Sequence, residues 1–152
     1  MTKTQAAVVA EARRWIGTPY VHQASCFGAG TDCLGLLRAV WRRLYVQEPE
    51  AVPAYTMDWS EPQGEERLWD AALRHLVAKP AGSEEIGDVL LFRMHPGAVA
   101  KHLGICTCVG AEAQFVHAYS KFGVIESPLS GPWRRKIVAR FAFPEEANQW
   151  QH

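Results

Sequence analysis

A glycine-rich turn runs into a helix start at Gly28-Ala29-Gly30-Thr31-Asp32-Cys33-Leu34-Gly35-Leu36. It delivers Cys33 to the first helical turn, where unspent backbone N–H groups and the helix dipole favour negative charge. A thiol so placed can have its pKa lowered from about 8.5 to between about 3.5 and 7.5. The same N–H groups can bind an oxyanion forming beside the sulfur. A nucleophilic thiol needs a base. His102 opens a predicted strand in Lys101-His102-Leu103-Gly104-Ile105, and His117 lies on the next, in Phe115-Val116-His117-Ala118-Tyr119. Adjacent antiparallel strands set two imidazoles side by side where the register permits. One then takes the proton from Cys33, and the other orients the first through its far ring nitrogen. The plain alternative is a small core cysteine opening an amphipathic helix, with two satisfied strand histidines.

The elements that must position these groups are legible in the hydrophobic pattern. Thr2 and Gln5 have the spacing of a capping box, and Val8, Ala12, Trp15 and Ile16 recur at helical spacing before Gly17 and Pro19, which predicts a helix over 3–16. Residues 17–32 read as a loop. A second helix begins at Asp32 or Cys33, with an apolar stripe of Cys33, Leu36, Leu37, Val40, Trp41 and Leu44 and a wet face of Arg38, Arg42 and Arg43. Pro49, Pro53 and Pro62 mark 48–64 as an irregular connection. A third helix is predicted over 65–78, closed by Lys79-Pro80. Strands follow at 89–93, 102–109, 114–119, 123–127 and 136–143. In the last of them Ile137, Ala139, Phe141 and Phe143 alternate onto one face. Helices first and strands afterwards predict a single α+β domain over 1–152, its N-terminal helices packed on a C-terminal antiparallel sheet.

Composition agrees with one folded domain. The chain has 152 residues, 48% of them hydrophobic and 21% charged, which excludes a disordered or fibrous protein. Sixteen basic residues balance sixteen acidic ones, so no overall charge recruits nucleic acid or an anionic membrane. No apolar run is long enough to span a bilayer. Residues Met1 to Trp15 lack the pattern of a secretory signal, so synthesis in the cytoplasm without a signal peptide is expected. The four cysteines, Cys26, Cys33, Cys106 and Cys108, do not form a disulfide framework in such a chain, and free thiols are expected.

The chain resembles the NlpC-type cell-wall cysteine peptidases, and within them the phage-associated branch. The resemblance rests on Gly17-Thr18-Pro19-Tyr20-Val21, Asp32-Cys33-Leu34-Gly35-Leu36, Gly87-Asp88-Val89-Leu90, His102-Leu103-Gly104-Ile105, Phe115-Val116-His117-Ala118 and Gly123-Val124-Ile125-Glu126. It implies a papain-like fold and hydrolysis of peptidoglycan stem peptides, between γ-linked D-glutamate and the following diamino acid. It assigns Cys33 as nucleophile, His102 as base and His117 as orienting residue, with Tyr20 and Asp32 on the substrate and oxyanion side, and no cofactor or metal. Two departures stand out: Leu34 follows the cysteine where many relatives have serine, and His22-Gln23-Ala24 replaces a common Trp-Gly-Gly. A wall hydrolase held in the cytoplasm has no substrate. Carriage on the tail of a phage, prophage or gene transfer agent resolves this, with tail or baseplate proteins as partners.

Three rival readings use the same residues. Alternation along the 102–109 strand puts His102, Cys106 and Cys108 on one face, a conceivable zinc site with Cys26 or Cys33. Cys-x-Cys is not a usual structural zinc spacing, however, and the pair reads as packed strand residues. A non-catalytic tail component that keeps the fold is the main functional alternative, and a thiol acyltransferase is the third. His22 is a possible substrate contact, and Trp133-Arg134-Arg135 a possible partner contact.

Overall fold

The computed structural model describes residues 1–52, 55 and 64–145. Most of the connection predicted over 48–64 therefore lies outside the described residues. Among the described residues twelve elements follow one another: α1 (Lys3–Arg14), β1 (Ser25–Cys26), β2 (Gly30–Thr31), α2 (Cys33–Tyr45), α3 (Arg67–His75), β3 (Val77–Lys79), β4 (Val89–Phe92), β5 (His102–Cys108), β6 (Gln114–Tyr119), β7 (Gly123–Pro128), α4 (Gly131–Arg134) and β8 (Ile137–Ala142). The capping box forms as the sequence predicts: Thr2 accepts from Gln5 N–H while the Gln5 side chain accepts from Thr2 N–H. No described helix is long and apolar enough to cross a membrane.

Strands pair antiparallel in the order β3-β8-β4-β5-β6-β7, so the expected α+β architecture is the observed one. The sheet buries both faces. On one, Val8, Ala12 and Trp15 of the first helical segment and Leu36, Val40 and Trp41 of α2 pack against Val89, Leu91, Leu103, Ile105 and Val116. On the other, Leu90, Phe92, Cys106 and Phe115 form a second cluster with Leu129, partly covered by Trp133. Alternate residues of β4 and β5 feed alternate clusters, which explains why β4 is buried along its whole length.

The sequence pattern misses the short helix α4 and three further features. The third helix stops at His75 rather than 78, because Leu76 turns extended and Val77–Lys79 pair with β8. That pairing delivers Lys79 Nζ to Asp88, 2.8 Å away; Arg140 of β8 approaches the same buried carboxylate at 2.6 Å. A partnered buried charge of this kind ties β3, β4 and β8 together at the Gly87-Asp88 turn. In β8 a bulge opposite Leu91–Phe92 breaks the alternation. Ala139 and Phe141 pack in the first cluster, but Ile137 turns to the second, contrary to the single face expected. Finally, the predicted 17–32 loop contains the two-stranded β1–β2 ribbon.

That ribbon seats α2. A Cβ on Gly35 would collide with the Ala24 carbonyl and with Thr31 Oγ1, so only glycine lets the first turn of α2 lie against the loop. Alanine is the better helix former, so propensity and packing make opposite predictions for Gly35→Ala. Packing should win. We expect a loss of about 1–3 kcal/mol in urea unfolding, and a neutral or stabilised variant would show that α2 is not seated on this loop.

Candidate active site

Asp32 sets the geometry. It is buried and is the N-cap of α2: Oδ1 accepts from Gly35 N–H at 2.7 Å. Oδ2 accepts from Gln23 N–H at 2.7 Å and from the Tyr55 hydroxyl. His22 Nδ1 stands 3.9 Å from the same oxygen. The Tyr55 carbonyl is itself held by Gln23 Nε2 at 2.7 Å and by His22 Nε2 at 2.8 Å. The His22-Gln23-Ala24 departure thus builds one wall of the site, with His22 engaged on Tyr55.

The next residue, Cys33, is buried against β5. Its Sγ lies 3.6 Å from the carbonyl of Lys101, the residue before His102. Backbone N–H groups of Leu103, Leu34 and Cys33 face the sulfur and favour its thiolate, as a helix start should. Burial outweighs them. Desolvation, followed by the negative charge of Asp32, pushes the Cys33 thiol up to about 12. The lowered thiol pKa expected from the sequence is therefore overturned, because the sulfur is dry and has a carboxylate neighbour. Tyr20, bridged to Thr31, is raised to about 12 by burial and then by the charges of Cys33 and Asp32.

The two strand histidines meet directly: His102 Nε2 and His117 Nδ1 are 2.8 Å apart and share a proton. Pairing of Ile105 with Val116 places Gly104 opposite His117, so the two rings are diagonal neighbours. Gly104 makes room, since a Cβ there would strike Phe115 and come within 3.4 Å of His117 Cβ. The long connection between the histidines is absorbed by a bulge at Cys106–Cys108 and the turn after it. Beyond the pair, His117 Nε2 is 2.8 Å from Ser127 Oγ. His102 Nδ1 makes no hydrogen bond among the described residues. His102 is itself buried, and no fully buried side-chain nitrogen or oxygen among the described residues lacks a partner. No thiol–imidazole hydrogen bond is made in this resting arrangement; such contacts are often long before substrate binds.

Trp133 lies across this relay, its ring centroid 5.7 Å from His102, 5.1 Å from His117 and 5.6 Å from Tyr119. Its ring packs on the site, and Arg134 beside it pairs with Glu84. Desolvation lowers His102 to about 4. It also lowers His117, to about 3, with His102 adding to the effect. The segment entering His102 is fixed by Glu66, which accepts from Ala100 N–H at 2.8 Å and from Arg93 at 2.6 Å. The sequence reading passes over Ser127, Glu66 and Tyr55 and names Trp133 only as a possible partner contact. Ser127 alone had a usable signal, the period-two alternation that puts it on the face of His117 once the β6–β7 register is known.

The zinc arrangement does not form. The bulge swings the Cys108 thiol to Arg13, 3.4 Å away, and away from the second cluster that holds Cys106. No three His, Cys, Asp or Glu side chains converge to hold a metal among the described residues.

No family model and no curated protein sequence matches the chain. Solved structures do. The NlpC/p60 domain of the peptidoglycan hydrolase SagA is 24% identical, with a TM-score of 0.61 over 91% of this chain and 98% of that domain. An NlpC/p60 family protein from Bacillus cereus is 18% identical, with a TM-score of 0.60 over 92% of this chain and 40% of that protein. Ly7917 is 15% identical, with a TM-score of 0.60 over 93% of this chain and 63% of its own length. Its structure is also known with the hydrolysis product of MDP. The chain has the papain-like fold of NlpC/p60 domains.

Both imidazoles are neutral in the folded protein well below the usual 6.5, so the unfolded chain takes up protons first as pH falls. The stability gained by keeping them neutral is whole above about 6.5 and is lost toward about 4 and below. For Cys33, raised from 9.0 to about 12, the contribution is whole below 9 and is lost as pH rises past it. Calorimetric melting from pH 4 to 8 should show Tm falling below about 6.5. Much of the fall should vanish in a His102→Gln, His117→Gln double variant; an equally steep fall there would place its source elsewhere.

Proposed function

We propose that the protein is a cysteine endopeptidase that cleaves peptidoglycan stem peptides. The observation that carries this reading is Cys33 at the start of α2 on the carbonyl of Lys101, the residue before His102, with His102 paired to His117. The fold shared with SagA supports the substrate class, as does the solution of Ly7917 with a hydrolysis product of MDP. The bond expected from the family resemblance joins γ-linked D-glutamate to the diamino acid. Carriage on a phage-like tail, with tail or baseplate proteins as partners, rests on the phage-branch likeness of Asp32-Cys33-Leu34-Gly35-Leu36.

In this mechanism the resting pair is neutral, since burial disfavours both thiolate and imidazolium. Sγ attacks the scissile carbonyl carbon while His102 Nδ1 takes its proton, so charge forms only as the bond forms. His117 accepts from His102 Nε2–H and steadies the imidazolium. The backbone N–H of Cys33 and the Tyr20 hydroxyl face the developing oxyanion. Asp32 fixes the helix start that presents them. His102 then gives its proton to the departing amine, leaving a thioester. Water, deprotonated by the same ring, hydrolyses it and restores the thiol.

Digestion of purified sacculi, with products identified by mass, tests the reading. New free amines should appear on the diamino acid without new reducing sugar ends, because no paired-carboxylate glycosidase site is expected. Cys33→Ala should abolish release while the fold is retained. His102→Ala should lose roughly a hundredfold or more, and His117→Ala less. Release at the wild-type rate by Cys33→Ala would sink the proposal.

A further inference from the structure

The hydrogen-bonded chain His102–His117–Ser127 has a direction, and Ser127 is its far end. A neutral imidazole carries one N–H, so each ring donates on one side and accepts on the other. Two arrangements are possible. In the first, His102 Nε2–H donates to His117 Nδ1, and His117 Nε2–H donates to Ser127 Oγ. In the second, the serine hydroxyl donates to His117 Nε2, His117 Nδ1–H donates to His102 Nε2, and the remaining proton of His102 sits on Nδ1. Only the first leaves Nδ1 able to take a proton from a thiol.

We infer that Ser127 is a positioning residue for the hydrolysis proposed above: its hydroxyl accepts from His117 Nε2–H and so fixes both rings as the tautomer that leaves His102 Nδ1 free to act as base. The structure favours this direction at each end. Ser127 is half-buried on β7, the edge strand of the sheet, so its own proton can go outward to water while a lone pair faces His117. At the other end, His102 Nδ1 makes no hydrogen bond to a described residue, so no protein acceptor holds a proton there. The geometry is firm because His117 pairs with Ile125 and Ser127 with Phe115, which makes Ser127 a same-face diagonal neighbour of His117. Trp133 keeps water off the pair, so the serine hydroxyl is the group left to hold the outer nitrogen. Both rings resist a second proton near neutrality, so the choice of tautomer matters over the working range.

The test reads tautomers directly. Protein labelled with nitrogen-15 histidine is examined by long-range proton–nitrogen correlation, with His102→Gln and His117→Gln assigning the two rings. Both should be Nε2–H in the wild type. In Ser127→Ala, His117 should become a mixture of tautomers, and kcat on sacculus-derived stem peptides should fall roughly tenfold or more with KM unchanged. Ser127→Thr should restore both. A wild-type His117 protonated on Nδ1 overturns the inference without need of any variant, as do an unchanged spectrum or an unchanged kcat in Ser127→Ala. The catalytic consequence rests on the peptidase reading, but the tautomers do not. Wild-type protein that cleaves nothing, yet shows the tautomer change in Ser127→Ala, would defeat the peptidase reading and leave Ser127 as the residue that sets the direction of the chain.

Discussion

A buried carboxylate must have its oxygens filled by donors, and this constraint on Asp32 organises the site. One oxygen takes Gly35 N–H and starts α2, and the other takes Gln23 N–H and the Tyr55 hydroxyl. Helix start, cleft loop and Tyr55 are therefore fixed by one group. Since Cys33 is the next residue, its position against β5 follows from the same bonds, aided by Gly35, which lets the helix approach the loop. The cost is electrostatic: the charge that places Cys33 also opposes its ionisation.

This opposition decides which chemistry the site can support. A helix start and three N–H groups would by themselves produce a reactive thiolate, but burial and Asp32 outweigh them. On the other side, a dry setting under Trp133 keeps both imidazoles neutral. In the proposed mechanism both groups therefore start neutral, and proton transfer accompanies bond formation. That demand falls on geometry and on the tautomer of His102, which is why the hydrogen bonds behind the base matter more here than the charge in front of it.

Most of the architecture was legible because it is local. The Thr2–Gln5 box, the stripe of α2 and the alternation of β5 and β6 each lie within one element, and each formed where the pattern put it. What escaped depends on partners distant in sequence. Val77–Lys79 looks like the end of a helix, and becomes a strand because β8 offers it pairing and Asp88 offers Lys79 a charge. Ile137 and Cys108 changed face at bulges, and bulges leave no mark in a period-two count. Cys33, His102 and His117 could be picked out by type and spacing. Ser127 and Trp133 could not, because serine and tryptophan announce no chemistry until the register sets them beside the rings.

The long connection between the histidines and the altered 22–24 segment act on different parts of this site. Position along a strand is a matter of register, and the bulge at Cys106–Cys108 takes up the irregularity at the far end of β5. The paired residues nearer the histidines keep their alignment, and Gly104 keeps the space that His117 needs. The 22–24 segment instead belongs to the loop held by Asp32, where His22 and Gln23 grip the Tyr55 carbonyl. The relay is thus carried by the sheet and the cleft wall by a loop, which joins the sheet through Gly17 and Thr18 on Val124 as well as at the start of α2. Side chains can change on the loop without moving the histidines, provided that Gln23 N–H still reaches Asp32. That bond uses backbone, but Gln23 holds φ at 67°, a conformation that suits glycine or asparagine and excludes proline and β-branched residues.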